Sequence, residues 1–120
     1  MSATTVSNAT RTFTNGSGAL GAYILVKVAS DGTLAASDSS ADPVVGFTTT
    51  SAAASEATTV SLLHGGGTSF ATASKDIAIG DLVYNTTGGK LTDATGTEKI
   101  GVALSAAAAD GDVFEVLTAK

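Results

Sequence analysis

Hydrophobic and polar positions alternate with a period of two along several short stretches of the chain. In residues 113–117, for example, Phe114 and Val116 alternate with Val113, Glu115 and Leu117. Side chains of a β-strand point alternately to opposite faces, so this period predicts strands rather than helices. Together with their β-branched and aromatic content, it predicts strands at residues 23–28, 44–48, 58–62, 68–73, 82–84, 100–104 and 113–117.

Short polar segments between these stretches predict turns. Asp-Gly or Gly-Gly pairs occur at residues 31–32, 88–89 and 110–111, and glycine adopts a positive φ at little cost. Two alanine runs, which start at Ser51 and Ser105, each predict one short helical turn, because serine is a good N-cap and alanine is the strongest helix former.

The order of these elements occurs twice along the chain. The pair Leu25-Val26 and the following DGTL at 31–34 correspond to Leu82-Val83 and the following GGKL at 88–91. Residues 42–63 likewise parallel residues 97–118. The sequence therefore predicts a mainly β fold in which a duplicated β unit, at about residues 21–63 and 80–118, forms one compact barrel-like or sandwich-like domain over residues 19–120.

Residues 1–18 stand outside both predicted repeats. They are polar and end in a Gly/Ser-rich hinge, which predicts an extended N-terminal arm. A frayed terminus is the alternative, because the ends of most domains are poorly ordered. The strand propensity of Val6, Thr10, Thr12, Phe13 and Thr14 favours an arm that pairs with the sheet of a partner.

Charge and composition exclude several classes of function. The 120 residues carry a net charge of −5, only 14% of them are charged, and the basic residues never cluster, so no nucleic-acid partner is expected. No apolar run reaches the roughly 20 residues of a membrane span, and no basic amphipathic segment is present, so no membrane partner is expected. The N-terminus lacks a signal-peptide pattern, which predicts synthesis in the cytoplasm. The absence of cysteine is neutral about the compartment but excludes a small secreted protein held together by disulfides.

One segment carries a catalytic motif. Residues 64–67 read HGGG, the type of segment that supplies an oxyanion hole in lipases and esterases, and Ser69 follows it. Such a hydrolase needs a separate Gly-x-Ser-x-Gly turn and a later histidine, but Ser69 is five residues beyond His64, the only histidine in the chain. The segment is better explained as a flexible connection between two strands, and no enzyme activity is predicted.

The acidic residues give no convincing metal site. Asp110, Asp112 and Glu115 could hold a hard cation, but the remaining ligand spacing of a calcium loop is missing. A single histidine without cysteines excludes an ordered zinc site, and the glycines at 65–67 lack the Lys-Ser/Thr of a phosphate-binding loop. No metal and no cofactor are therefore predicted.

The repeated motifs resemble those of a known family. GAYILVKVASDGTL at residues 21–34 and IAIGDLVYNTTGGKLTDATGTEKIGVALSAAAADGDVFEVL at residues 77–117 are similar to the small capsid decoration, or cement, proteins of tailed bacteriophages. The likeness covers about residues 20–118. These motifs are structural, so the resemblance implies no active site.

The resemblance implies a non-enzymatic virion structural protein, made in the host cytoplasm. Such a protein binds the outer surface of the expanded phage capsid as a homotrimer and stabilises it by clamping adjacent major capsid subunits. An N-terminal arm along a capsid strand would use Ala9, Thr10, Arg11, Thr12, Phe13 and Thr14. In that arm, Arg11 would pair with capsid carboxylates and Phe13 would fill a pocket.

The alternative function is a phage or surface fibre or adhesin module that binds carbohydrate or a host surface. Aromatic platforms would favour this alternative, but the chain has only four Phe, two Tyr and no Trp.

Overall fold

The computed structural model describes residues 10–38, 43–63, 68–95 and 99–118. Within them the backbone is mainly β, as predicted, and no described helix is long and apolar enough to span a bilayer. The described elements are β1 (Thr10–Thr14), β2 (Leu25–Val28), β3 (Leu34–Ala36), β4 (Val44–Thr48), β5 (Ala57–Leu62), β6 (Thr68–Thr72), β7 (Leu82–Asn85), a 3-10 turn (Thr87–Gly89), β8 (Leu91–Thr92), β9 (Lys99–Ala103) and β10 (Val113–Thr118).

The strands form two five-stranded sheets with the same topology. The order in the first sheet is β1-β5-β4-β2-β3, and in the second it is β6-β10-β9-β7-β8, with neighbouring strands antiparallel. Each sheet is curled so that its two edge strands meet at one end. A parallel bridge joins Asn15 to Leu34 at this point in the first sheet, and another joins Ala73 to Leu91 in the second. The Gly16 amide donates to the Leu34 carbonyl at 3.0 Å, and the Ser74 amide donates to the Leu91 carbonyl at 2.9 Å.

The duplication is larger than the sequence predicts. Because β1 corresponds to β6, the first repeat spans residues 10–62 and the second spans residues 68–118. Backbone geometry supports this correspondence, since six of the seven described residues with positive φ fall at matching positions, namely Tyr23 with Gly80, Gly32 with Gly89 and Ser55 with Gly111. Gly88 is the exception. The segment from Thr10 to Thr14, predicted as part of an arm outside the repeats, is thus a strand of the first repeat.

The two alanine runs form no helical turn. Instead, Ala52 and Leu20 exchange backbone hydrogen bonds of 2.8 and 2.9 Å, and Ala107 and Ile77 exchange two of 2.9 Å. A single helical turn is unstable alone, so pairing with a neighbouring extended segment satisfies more backbone groups. A tight 3-10 turn lies instead at Thr87–Gly89, in the predicted glycine turn, and its Gly88 has a positive φ of 70°.

Two hydrophobic clusters form the core. One lies within the first repeat and contains Leu20, Val26, Leu34 and Val60. The other lies mainly within the second repeat, but it also includes Leu25 and Phe47 of the first repeat and Leu63, which directly follows that repeat. Leu25 and Val26 are adjacent and point to opposite faces of β2, so one strand contributes both to its own repeat and to the junction between the repeats.

Candidate functional site

Strand β1 contains five of the six residues predicted to contact a partner. It is an edge strand, paired with β5 from Thr10 opposite Ser61 to Thr14 opposite Ala57. Thr10, Arg11, Thr12 and Thr14 are exposed, whereas Phe13 is half-buried. Ala9, the sixth residue, lies outside the described residues. The structure therefore places the candidate segment on the sheet edge of the chain itself.

The other edge of β1 is open over its first residues, 10–12. The Asn15 amide donates to the Glu56 carbonyl at 2.8 Å, and alternate residues of an antiparallel strand direct their backbone groups toward the same partner. The backbone groups of Thr10, Thr12 and Thr14 therefore point away from β5. Strand β3 reaches this side of β1 only at its C-terminal end, through the parallel bridge between Asn15 and Leu34, so the backbone groups of Thr10 and Thr12 remain available to an incoming strand.

Arg11 and Phe13 differ in their availability to a partner. Phe13 packs against the hydrophobic cluster of the first repeat, and the guanidinium carbon of Arg11 lies 4.7 Å from the centre of its ring. The Phe13 ring is therefore already packed within the chain, in contrast to its predicted role of filling a partner's pocket. The Arg11 side chain is exposed, so it can meet the carboxylates of a partner.

Asn15 fixes the end of β1. Its buried side-chain amide donates to the carbonyls of Gly18 and Ala53 at 2.8 and 3.0 Å. The carboxylate of Glu56 accepts a 2.7 Å hydrogen bond from the Ala53 amide in the facing loop. These bonds hold the strand exit in place, so β1 offers its open edge in a defined position.

A second candidate surface, which the sequence analysis did not identify, lies on the outer face of the second repeat. Leu82 is opposite Val102, and Val102 is opposite Leu117, so the three side chains form one row across β7, β9 and β10. Leu82 is 45% exposed and Leu117 is 44% exposed. We call these three residues the apolar row. All large hydrophobic side chains found exposed in the described residues belong to the second repeat.

The residues with catalytic potential do not form a catalytic arrangement in the described structure. The HGGG segment at 64–67 lies outside the described residues. The Ser69 hydroxyl is buried and lies 3.0 Å from the Ser61 hydroxyl, across the junction between the repeats. Its contact is therefore with another neutral hydroxyl, which stabilises the junction.

The three candidate metal-binding carboxylates contact separate partners. Asp110 forms a 2.8 Å ion pair with Lys90, Asp112 accepts the amides of Ala108 and Ala109, and Glu115 accepts the hydroxyl of Thr68. In the described part of the chain, no group of three or more His, Cys, Asp or Glu residues could hold a metal ion. These acidic side chains stabilise turns and strand ends.

An open sheet edge and an exposed apolar row on a duplicated β scaffold are surfaces suited to contact with other proteins. Residues 5–118 match the model of a family described as phage cement protein, and the chain belongs to this family. The resemblance inferred from the repeated motifs is thereby confirmed, and the chain is a phage virion structural protein associated with the capsid.

The fold is also similar to a solved structure, the crystal structure of the head fibre gp8.5 N base of bacteriophage phi29. The TM-score is 0.65 at 16% sequence identity, with 92% of this chain and 95% of that chain covered. At this identity the likeness supports the fold. No curated protein matches the sequence.

Proposed function

We propose that this protein, made in the host cytoplasm, binds the outer surface of the expanded capsid as a homotrimer and stabilises it by clamping adjacent major capsid subunits. The open edge of β1 is the observation that carries the proposal. With Ala9, residues Thr10, Arg11, Thr12, Phe13 and Thr14 form the candidate contact segment, and a strand of the major capsid protein is the candidate partner.

The chemistry of this edge suits strand addition. A strand that joins β1 forms backbone hydrogen bonds irrespective of its own sequence, and exposed threonines favour an extended backbone without adding charge. A trimer engages three such edges at once, so individually weak contacts combine into strong attachment. This arrangement resists the outward pressure of a packaged genome without any chemical step.

A fibre or adhesin module is the second candidate function. The likeness to the phi29 head fibre base and the exposed ring of Phe70, packed edge-on to Tyr23 at 5.7 Å, favour it. A glycan array separates the two candidates, since the capsid-binding function predicts no glycan ligand.

Replacement of Thr12 by proline tests the open edge. The Thr12 amide points away from β5, so proline removes a donor from the free edge without breaking the β1–β5 ladder. We expect Thr12→Pro to weaken cosedimentation with undecorated expanded capsids about tenfold or more, while Thr12→Val, which keeps the amide and the shape, binds like the wild type.

Substitution at Thr12 tests the edge of β1 more cleanly than deletion of the N-terminal residues would. Removal of residues 1–16 would delete β1 and uncover β5, so it would damage folding as well as binding. Equal melting temperatures for the Thr12 variants establish that folding is intact. Wild-type binding by Thr12→Pro would show that the edge of β1 is not the contact.

A further inference from the structure

The two repeats contact each other through different surfaces. On the first repeat, Leu25, Phe47 and Ser61 form a row across β2, β4 and β5, in the same register as the apolar row of the second repeat. This row is covered by the second repeat, and Leu25 and Phe47 are only 0% and 1% exposed.

Two segments of the second repeat cover the row of Leu25, Phe47 and Ser61. One is β6, where the hydroxyl of Ser69 meets that of Ser61 and the hydroxyl of Thr72 donates to the Tyr23 carbonyl at 3.0 Å. The other is the turn at Gly89, whose amide donates to the Ser37 carbonyl at 2.7 Å. A Cβ on Gly89 would lie 2.6 Å from the Leu25 carbonyl oxygen, so the approach is close.

The contact is not reciprocal. The counterpart of Gly89 in the first repeat is Gly32, which would lie against Leu82 if the repeats were related by a two-fold axis. Gly32 instead has open space around its Cβ position. The junction is therefore head-to-tail, and it leaves one surface of each kind unused on every molecule.

Both unused surfaces are exposed on the molecule. The apolar row is the exposed counterpart of the buried Leu25 row. The counterpart of the covering surface is β1 together with the turn at residues 31–33, which is likewise exposed. At the junction within the chain, the side-chain amide of Asn85 donates to the hydroxyl of Ser37 at 2.7 Å. The residues at the equivalent positions of the other repeat are Val28 and Ala94, respectively. An apolar pair at this point suits contact with the apolar row.

We propose that the apolar row binds β1 and the 31–33 turn of a second molecule of this chain, in the way that the Leu25 row binds the second repeat within one molecule. The inference rests on the proposed homotrimer and identifies the surfaces that build it. Head-to-tail contacts of this kind form a closed ring when their rotation closes. Burial of Leu82 and Leu117 supplies the hydrophobic driving force.

This contact leaves part of β1 available to the capsid. Phe70, the counterpart of Thr12, remains 53% exposed at the junction within the chain. A molecule docked in the same way on its neighbour keeps Thr12 at the surface, whereas Arg11, the counterpart of the buried Ser69, lies against Leu117 of the neighbour. In the docked molecule, β1 therefore offers Thr12 rather than Arg11 to the capsid.

Aspartate at position 82 tests the apolar row. Leu82 lies on the surface of the monomer, so Leu82→Asp leaves folding intact but places a charge in the contact. We expect its molar mass by light scattering at micromolar concentration to fall from that of an oligomer to the 11.6 kDa of the monomer. Val113→Asp is the matched control, because Val113 is 47% exposed and its counterpart Ala57 stays exposed beside the internal junction.

Asparagine at position 32 tests the opposite surface. Gly32 has a φ of +85° and no atom within 4 Å of its Cβ position, and asparagine tolerates this backbone region better than other side chains do. Gly32→Asn adds bulk where the counterpart Gly89 has no space for a Cβ. We expect it to unfold cooperatively like the wild type but to lose self-association.

Several outcomes would overturn the proposal. A monomeric wild type would do so, as would an oligomer that persists in both Leu82→Asp and Gly32→Asn. If the apolar row became inaccessible to solvent only when the protein is bound to capsids, the capsid rather than a second molecule would be the partner of the row. Capsid cosedimentation reports separately on the proposed function: a wild-type oligomer that is dissociated by Leu82→Asp but never binds capsids supports the self-association and refutes the capsid role.

Discussion

Replacement of Gly101 by alanine is expected to destabilise the fold severely, by about 3 kcal/mol or more. A Cβ at this position would collide with the carbonyl oxygen of Leu117 on β10 and lie 2.9 Å from its carbonyl carbon. These neighbours are backbone atoms of a paired strand, so they cannot rotate away as a side chain would. Urea unfolding, or the loss of soluble protein, measures the effect.

The same close approach occurs in the first repeat. A Cβ on Gly46 would collide with the Ser61 carbonyl oxygen on β5, so Gly46→Ala is expected to be comparably harmful. Gly18→Ala is the matched control, because nothing lies within 4 Å of its Cβ position, and its effect should stay within about 0.5 kcal/mol. Tolerance of alanine at both Gly46 and Gly101 would contradict the tight strand spacing described here.

Local patterns predict the strands well because period-two alternation and glycine turns are encoded within a few residues. The strands predicted at 44–48, 58–62 and 113–117 agree with β4, β5 and β10 to within a residue. The alanine runs mislead because their conformation depends on remote partners. Ala52 pairs with Leu20 and Ala107 pairs with Ile77, so tertiary hydrogen bonds override helix propensity there.

The place of β1 in the first repeat is hidden from the sequence for a related reason. Its counterpart β6 reads TSFAT against TRTFT in β1, so threonine at both ends is the main likeness between the two strands. A polar threonine-rich segment has strand propensity but no pattern that selects its partner. Only the fold shows that β1 pairs with β5 of the same chain, leaving one edge open.

The two candidate surfaces also differ in how far the sequence predicts them. The contact segment at Ala9–Thr14 came from family resemblance, and the structure adds the open edge. The apolar row cannot be recognised from the sequence, because Leu25 and Leu82 occupy equivalent positions, each followed by valine, in the two repeats. Their difference in exposure arises from the head-to-tail packing of the repeats, which covers one leucine and leaves the other at the surface.

The junction between the repeats is expected to be a main source of stability, and Phe47→Ala measures it. Phe47 belongs to the first sheet, is 1% exposed and packs in the cluster that fills the second repeat. Its truncation leaves a cavity shared by both repeats, with an expected loss of about 3–5 kcal/mol in the free energy of unfolding. Urea unfolding at a fixed protein concentration provides the measurement, because self-association would add to the apparent stability.

Phe70→Ala is the matched control for this junction. It removes the same side-chain atoms from a ring that is 53% exposed and contacts Tyr23 edge-on, so about 1 kcal/mol is expected. Because Phe47 contributes to both repeats, its loss should lower the stability of the two together and preserve a single transition. Separate transitions for the two repeats in the wild type, or equal losses for the two phenylalanine variants, would show that the repeats fold independently and that the junction adds little.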